Sequence, residues 1–388
     1  MDREPPLRVA LATRDSSRNP NARWEPVDRL GNSLVPGEEI KAPVIRSHRP
    51  TLRDVARLAR VDPSVVSRVV NSDAALNITD QTRERILTAL AELDYRPNLF
   101  ARGLRMARTW TIGFLLPDLT NPAYGPLVEG ARATAEAAGY VIVLGSAQDG
   151  TVAESSFARL LSRGRVDGLI IASATAHEDF FRDLATGPSP IVVVNRQVEG
   201  IDSCVVLQDA WGARLATEHL IGLGHQNIAH IAGPPAIDTT VRRLEGFRSV
   251  VAEHPGIEAT VVHASAWDAA AGYRATEQLL AVAPATTAIY AVNVMIAIGV
   301  MRALHSSGRR IPEDVSIIGF HDYPLAAYLQ PPLTTVSMPF REAGSAAVEL
   351  LLDLLSGGPP SGRVIETPPH LVLRQSTATP PLARGGTL

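Results

Sequence analysis

Residues 51–71 read TLRDVARLARVDPSVVSRVVN. The run predicts two short helices about a tight turn. The Thr51 hydroxyl suits the first helix's N-cap, and Leu52, Val55, Ala56 and Ala59 recur at the i, i+3, i+4, i+7 spacing of one helical face. Asp62 suits the second cap, with Pro63 at the first helical position, where a missing N–H costs nothing. Val65, Val66, Val69 and Val70 give the second helix an apolar side, which leaves Ser64, Ser67, Arg68 and Asn71 for another face. Helices this short do not hold in water alone, so they must pack on neighbours. The polar face left over has the width of a DNA major groove.

The flanks extend this unit. Thr79 is placed to cap a third helix, Asp80 to Leu93, whose Ile86, Leu87, Leu90 and Leu93 are expected to close a small core. Residues 43–109 hold 12 arginines and seven acidic residues, a balance of +5, although the whole chain of 388 residues carries −3. Residues 110–388 carry −8. A basic head on an acidic body is the electrostatic footprint of a DNA-binding module beside a separate core. Residues 1–47 are rich in Pro, Arg, Asn, Gly and Ser without a sustained period, and are expected to be a disordered extension.

From Trp110 the pattern changes. Apolar runs such as TIGFLLPD, YVIVLGS, VDGLIIAS and PIVVVNR alternate with helical stretches. The rhythm then repeats through SCVVL, NIAHIAG, TVVHAS, TTAIYAVN and DVSIIGF. Nearly unbroken apolar strands are those of parallel sheets covered on both faces, and two such series predict two doubly wound subdomains with a cleft between them. The single cysteine, Cys204, excludes an internal disulfide and is expected inside a strand. No apolar run reaches membrane-spanning length, so a cytoplasmic protein is expected. No Walker loop, G-x-S-x-G, H-E-x-x-H or G-x-G-x-x-G after a strand occurs, so no catalytic residue, cofactor or metal is implied. His219, His225 and His230 lack metal-ligand spacing and read as structural.

The 51–71 run resembles the helix-turn-helix of the lactose/galactose-repressor (LacI/GalR) family, matching at Val55, Ala56, Ala59, Val61, Val66, Ser67, Arg68, Val69 and Asn71. It departs at Arg60, Asp62 and Val65, where the family usually has Gly, Ser and Thr. Arg60 at a left-handed turn position implies about 1–2 kcal/mol of strain. Tyr95, Arg96, Pro97, Asn98, Ala101, Arg102 and Leu104 resemble the family's hinge. Residues 98–106 are too few to be helical unaided, and Gly103 weakens them further. The resemblance implies that this segment folds when two copies meet over a minor groove, with Leu104 wedged into a base step. It implies a homodimer on near-palindromic operator DNA, controlled by a small-molecule effector, and no membrane role. Base edges would be read by Ser64 and Arg68 near the start of the recognition helix, beside Pro63 and Val65. Phosphates would be met by Thr51, Ser67, Asn71 and Asn98.

The expected architecture is an α/β core of two doubly wound parallel-sheet subdomains, periplasmic-binding-protein-like by resemblance, behind an all-α helix-turn-helix domain at 48–96 and a hinge at 97–109. The first subdomain is expected at about 110–196 and 337–365, the second at about 197–336 and 366–388. Ligands of such sheets bind outside the carboxyl ends of the strands. That rule selects Asn121, Tyr124, Ser173, Asn195, Arg196, Arg243, Trp267, Asn293 and His321. Where sugar-sensing family members carry Asp, this chain has Asn195, Val294 and His321. The cleft is therefore expected to keep a cation, Arg243, without negative charge, and to take an effector that is anionic or poor in hydroxyls. A transport-type binding protein with the same core is the alternative; it would need a signal peptide and no basic head.

Overall fold

The computed structural model describes residues 50–70, 73, 75–95, 108–146, 164–172 and 189–381. The expectations for residues 1–47, Asn71, Asn98, Ala101, Arg102, Leu104 and Ser173 fall outside them. The chain divides into two compact units between Arg96 and Pro97.

The N-terminal unit holds α1 (Leu52–Ala59), α2 (Pro63–Val70) and α3 (Asp80–Glu92). Thr51 and Asp54 form a reciprocal capping box: the Asp54 N–H donates to Thr51 Oγ1 at 3.3 Å, and the Thr51 N–H donates to Asp54 Oδ2 at 2.9 Å. Arg60 ends α1 in the left-handed region, φ 54° and ψ 50°. Asp62 Oδ1 accepts from the Ser64 N–H at 2.8 Å and caps α2. Val55, Ala56, Ala59, Val66, Val69, Ile86 and Ala89 form the core. Leu87 is 54% exposed, which corrects its expected place in that core. Ile86, Ala89 and Leu93 follow helical spacing toward α1 and α2; Leu87, one residue on from Ile86, is turned about 100° away.

The C-terminal unit carries two six-stranded sheets. The first comprises β1 (Thr111–Leu116), β2 (Val141–Ser146), β3 (Gly168–Ile171), β4 (Ile191–Val194), β5 (Cys204–Val206) and β11 (Gly362–Val364), in the order β11-β5-β4-β3-β1-β2. The second comprises β6 (Asn227–Ala232), β7 (Glu258–His263), β8 (Ala288–Ala291), β9 (Ser316–Phe320), β10 (Thr334–Ser337) and β12 (His370–Val372), in the order β12-β10-β9-β8-β6-β7. The pairings are parallel except β10 with β12, which is antiparallel. Every residue of β3, β4, β5, β8 and β9 is buried, as unbroken apolar runs require.

β5 pairs with β4 and β11, so the chain leaves the first sheet after Val206 and not at the 196/197 boundary that the sequence suggested. It returns through α9 (Phe340–Leu355) to β11 and crosses once more to β12. Helix pairs pack closely where glycine removes the side chain: a Cβ at Gly344 of α9 would overlap the Leu127 carbonyl of α4 (Gly125–Ala137). The remaining described helices are α5 (Asp209–Gly222), α6 (Asp238–Glu253), α7 (Ala269–Val282) and α8 (Val294–Ser306). Among the described residues no helix is long and apolar enough to cross a membrane.

Candidate effector cleft and DNA-reading face

The cleft of the C-terminal unit forms where strand ends from both sheets face each other. Asn121, Tyr124, Asn195, Arg243, Trp267, Asn293 and His321 all line it. With Arg196, which also lines it, eight of the nine residues selected by the strand-end rule therefore stand together, and the ninth, Ser173, lies outside the described residues. Thr239, Tyr323 and Phe340 line the cleft without having been selected. Phe340 begins α9 three residues past the carboxyl end of β10, a strand that the sequence reading did not single out. The cavity measures about 40 Å³, room for about three waters.

Several lining residues already have structural partners. Asn121 Oδ1 accepts from the Ala123 N–H at 3.1 Å. Asn293 Oδ1 caps α8 through the Ile296 N–H at 2.7 Å, and its Nδ2 donates to the Trp267 carbonyl at 3.5 Å. A Cβ on Gly233 would stand 2.7 Å from the Trp267 ring and from Thr240 Oγ1, so glycine there makes room for the indole. Asn195 and His321 end β4 and β9 with positive φ, 67° and 70°. Non-glycine residues in that conformation cluster at functional sites. Burial pushes the Tyr124 hydroxyl up to about 12, so it stays a neutral donor and acceptor.

Arg243 is the centre of the cleft floor and is 2% exposed. Its Nε donates to Asp209 Oδ1 at 2.7 Å, Nη1 to the Val292 carbonyl at 2.8 Å, and Nη2 lies 3.0 Å from His321 Nε2. Its guanidinium carbon sits 4.2 Å from the Phe320 ring centroid, in cation–π contact. Arg242 Nη1 lies 2.6 Å from Asp209 Oδ2 in a second ion pair, and Arg242 also binds Asp238 at 2.9 Å. The sequence did not show what meets the Arg243 charge: Asp209, buried against Arg243 at 2.7 Å, does. A buried guanidinium without such a partner would be prohibitively desolvated. Asp209 does not itself line the cleft, and the described lining residues include no carboxylate.

The three histidines have structural partners. His225 bonds Thr287 Oγ1 at 2.9 Å, Ser316 Oγ at 3.1 Å and the Ala378 carbonyl at 2.9 Å. His230 Nδ1 bonds the Tyr290 carbonyl at 3.0 Å, and its ring stacks on Tyr290 with centroids 4.3 Å apart. His219 Nε2 bonds Thr377 Oγ1 at 3.1 Å. No cluster of three metal-ligating side chains occurs among the described residues.

In the N-terminal unit, Pro63, Ser64 and Arg68 are exposed on α2, while Val65 and Ser67 are half-buried. Arg68 Nε donates to Asp73 Oδ2 at 2.7 Å. The Thr51 hydroxyl serves its own capping box.

A helix-turn-helix unit in one chain with a two-sheet core that carries a polar cleft defines a ligand-responsive DNA-binding regulator. Residues 51–98 match bacterial regulatory proteins of the lacI family, and residues 217–377 match the periplasmic binding protein-like domain. The chain is 34% identical to the ribose operon repressor of Halalkalibacterium halodurans, over 84% of this chain and 97% of that protein. It is 31% identical to the transcriptional repressor PurR of Photobacterium profundum, over 84% of this chain and 98% of that protein. Among solved structures, the Lac repressor dimer bound to operator and the anti-inducer ONPF is similar, with TM-score 0.73 and 32% identity, over 85% of this chain and 99% of that one. The chain belongs to the lacI family of bacterial regulatory proteins. It is a sequence-specific DNA-binding transcriptional regulator with an effector-binding core, in a family of regulators and not of enzymes.

Proposed function

We propose that the chain acts in the cytoplasm as a homodimeric repressor of near-palindromic operators, without catalytic activity, and that a small molecule in the cleft controls its grip on DNA. Ser64 and Arg68 read base edges, with Pro63 and Val65 setting the entry of α2. Thr51, Ser67, Asn71 and Asn98 meet phosphates. Ala101, Arg102 and Leu104 engage the minor groove. The exposure of Ser64 and Arg68 beside buried Val66 and Val69 supports this division of faces. Arginine to guanine is the commonest specific contact in a major groove. Opening or closing the cleft around an effector shifts the subdomains and so changes operator affinity, and operator must then alter effector affinity by the same factor.

Asn121, Tyr124, Ser173, Asn195, Arg243, Trp267, Asn293 and His321 hold the effector, which is anionic or poor in hydroxyls. One observation carries this: no carboxylate is present among the described lining residues to accept hydroxyl protons. A neutral sugar is the second reading, favoured by the name of the H. halodurans relative, a ribose operon repressor. Gel shifts on genomic fragments test the DNA role, and a thermal-shift screen of neutral sugars, sugar acids, phosphorylated sugars and carboxylates tests the effector. Stabilisation by neutral sugars alone would favour the second reading. The absence of preference for any duplex at moderate salt would refute the repressor assignment.

A further inference from the structure

We infer that His321 determines the cleft's specificity: Arg243 fixes it as a one-sided donor whose other ring nitrogen reads a carboxylate or carbonyl oxygen on the effector. This rests on the reading of the cleft as the effector site. A guanidinium can only donate hydrogen bonds. The ring nitrogen 3.0 Å from Arg243 Nη2 must therefore be the bare, accepting one. A neutral imidazole has one bare nitrogen and one N–H, so the proton sits on the opposite nitrogen. Turning the ring over would set the Cε1–H against Arg243 in place of Nε2 and lose this hydrogen bond, so the contact with Arg243 selects the orientation found.

Arg243 cannot turn away to release the ring. Asp209 and the Val292 carbonyl hold its Nε and Nη1, and Phe320 lies against its flat face. His321 is itself clamped between Phe320, 5.1 Å away, and Phe340, 4.5 Å away, measured between ring centroids. It is 6% exposed, and its Nδ1 has no hydrogen-bond partner among the described residues. A buried donor left unanswered is costly, and a ligand acceptor would answer it. Trp267 Nε1, a group that can only donate, is likewise shut from solvent without a partner among the described residues. Both side chains line the cleft, and each carries a buried N–H without an acceptor among the described residues. A family Asp at the same place would accept hydrogen bonds from hydroxyls; His321 has the opposite polarity.

Two replacements separate this role from simple packing. Asn and Asp are close in size, and both tolerate the left-handed backbone at position 321. His321→Asn can turn its oxygen to Arg243 and its amide N–H toward the cleft. His321→Asp can accept from Arg243 but has no donor left. The full chain is screened by thermal shift against D-gluconate, D-glucono-1,5-lactone and sorbitol, and against the corresponding ribonate, ribonolactone and ribitol. The acids or lactones should raise the wild-type melting temperature and the polyols should not. His321→Asn should keep the shift and His321→Asp should lose it. Nitrogen-15 spectra of the histidine rings, with His321 assigned through the Asn variant, should show one protonated and one bare nitrogen at neutral pH. A doubly protonated ring, polyol-selective stabilisation of the wild type, or equal shifts in both variants would each overturn the inference. If none of the six compounds shifts melting or operator binding, the assignment of the cleft to such effectors falls instead, and the ring spectra still decide the state of His321.

Discussion

Arg68 Nε lies 2.7 Å from Asp73 Oδ2, so the side chain proposed to read a base edge is held by Asp73, which follows its own helix. Both groups are solvent-accessible, 46% and 35%, and such a pair contributes little to stability. Its value is orientation. Arg68→Ala should weaken operator binding by about 1–3 kcal/mol and flatten the preference at one base pair per half-site. Asp73→Ala should retain more specific affinity but raise binding to random duplex, because an acidic group is gone and Arg68 is loosened. Competition gel shifts at two salt concentrations measure both. Equal weakening of Arg68→Ala on every sequence would contradict a base-reading role.

Arg60 ends α1 at φ 54°, a conformation that costs a residue with a side chain about 1–2 kcal/mol. Arg60→Gly should therefore stabilise the N-terminal unit by about 1 kcal/mol, part of the relief being offset by glycine's greater freedom when unfolded. Urea melts followed by helical circular dichroism show the change. A loss of stability would mean that the Arg60 side chain makes compensating contacts.

Asp209 is buried against Arg243 at 2.7 Å and Arg242 at 2.6 Å. Asp209→Ala should destabilise the core by about 3–5 kcal/mol, because it leaves a buried guanidinium unpaired. The double change Asp209→Ala with Arg243→Met should recover part of that loss by removing the stranded charge. Denaturant midpoints of the wild type and the two variants test this, and a single-variant cost under about 1 kcal/mol would show that water reaches the site.

Burial holds His230 down at about 3, and desolvation also lowers His225. The folded value lies below the unfolded one, so the unfolded chain takes the proton first. The contribution of the neutral His230 ring is intact above about pH 6.5 and is lost progressively as pH falls toward about 3. Each such ring adds a slope of up to about 1.4 kcal/mol per pH unit within that window. His230→Phe keeps a ring against Tyr290 and should flatten the slope between pH 6.5 and 5. An unchanged slope would place the titration elsewhere.

Local patterns were the most legible in the chain. Thr51, Asp62 and Thr79 cap helices because capping depends on residues two or three apart, and all three are visible in a short window. The apolar strands were equally plain, since residues buried on both faces leave no polar interruption. What depended on distant partners was less clear. β5 looked like the first strand of the second series, and only its pairing with β4 and β11 puts it in the first sheet. Leu87 differed because a helix rich in leucine does not say which stripe faces inward. In the cleft, the strand-end rule gathered residues that do stand together, but it did not show what holds Arg243. Asp209 lies 34 residues before Arg243, on another helix, and nothing in either stretch announces the pair. Arg243 therefore looked like an offered cation, when its hydrogen bonds chiefly hold His321 and α5 in place.

The strands of the two sheets are interleaved along the chain: the backbone passes from first to second after β5, back before β11, and over again before β12. Neither lobe is a contiguous piece of polypeptide, so neither can be excised by a single cut or inherited by simple fusion. Heating the core should yield one calorimetric peak and not two, and a nick near either late connection should cripple both lobes together.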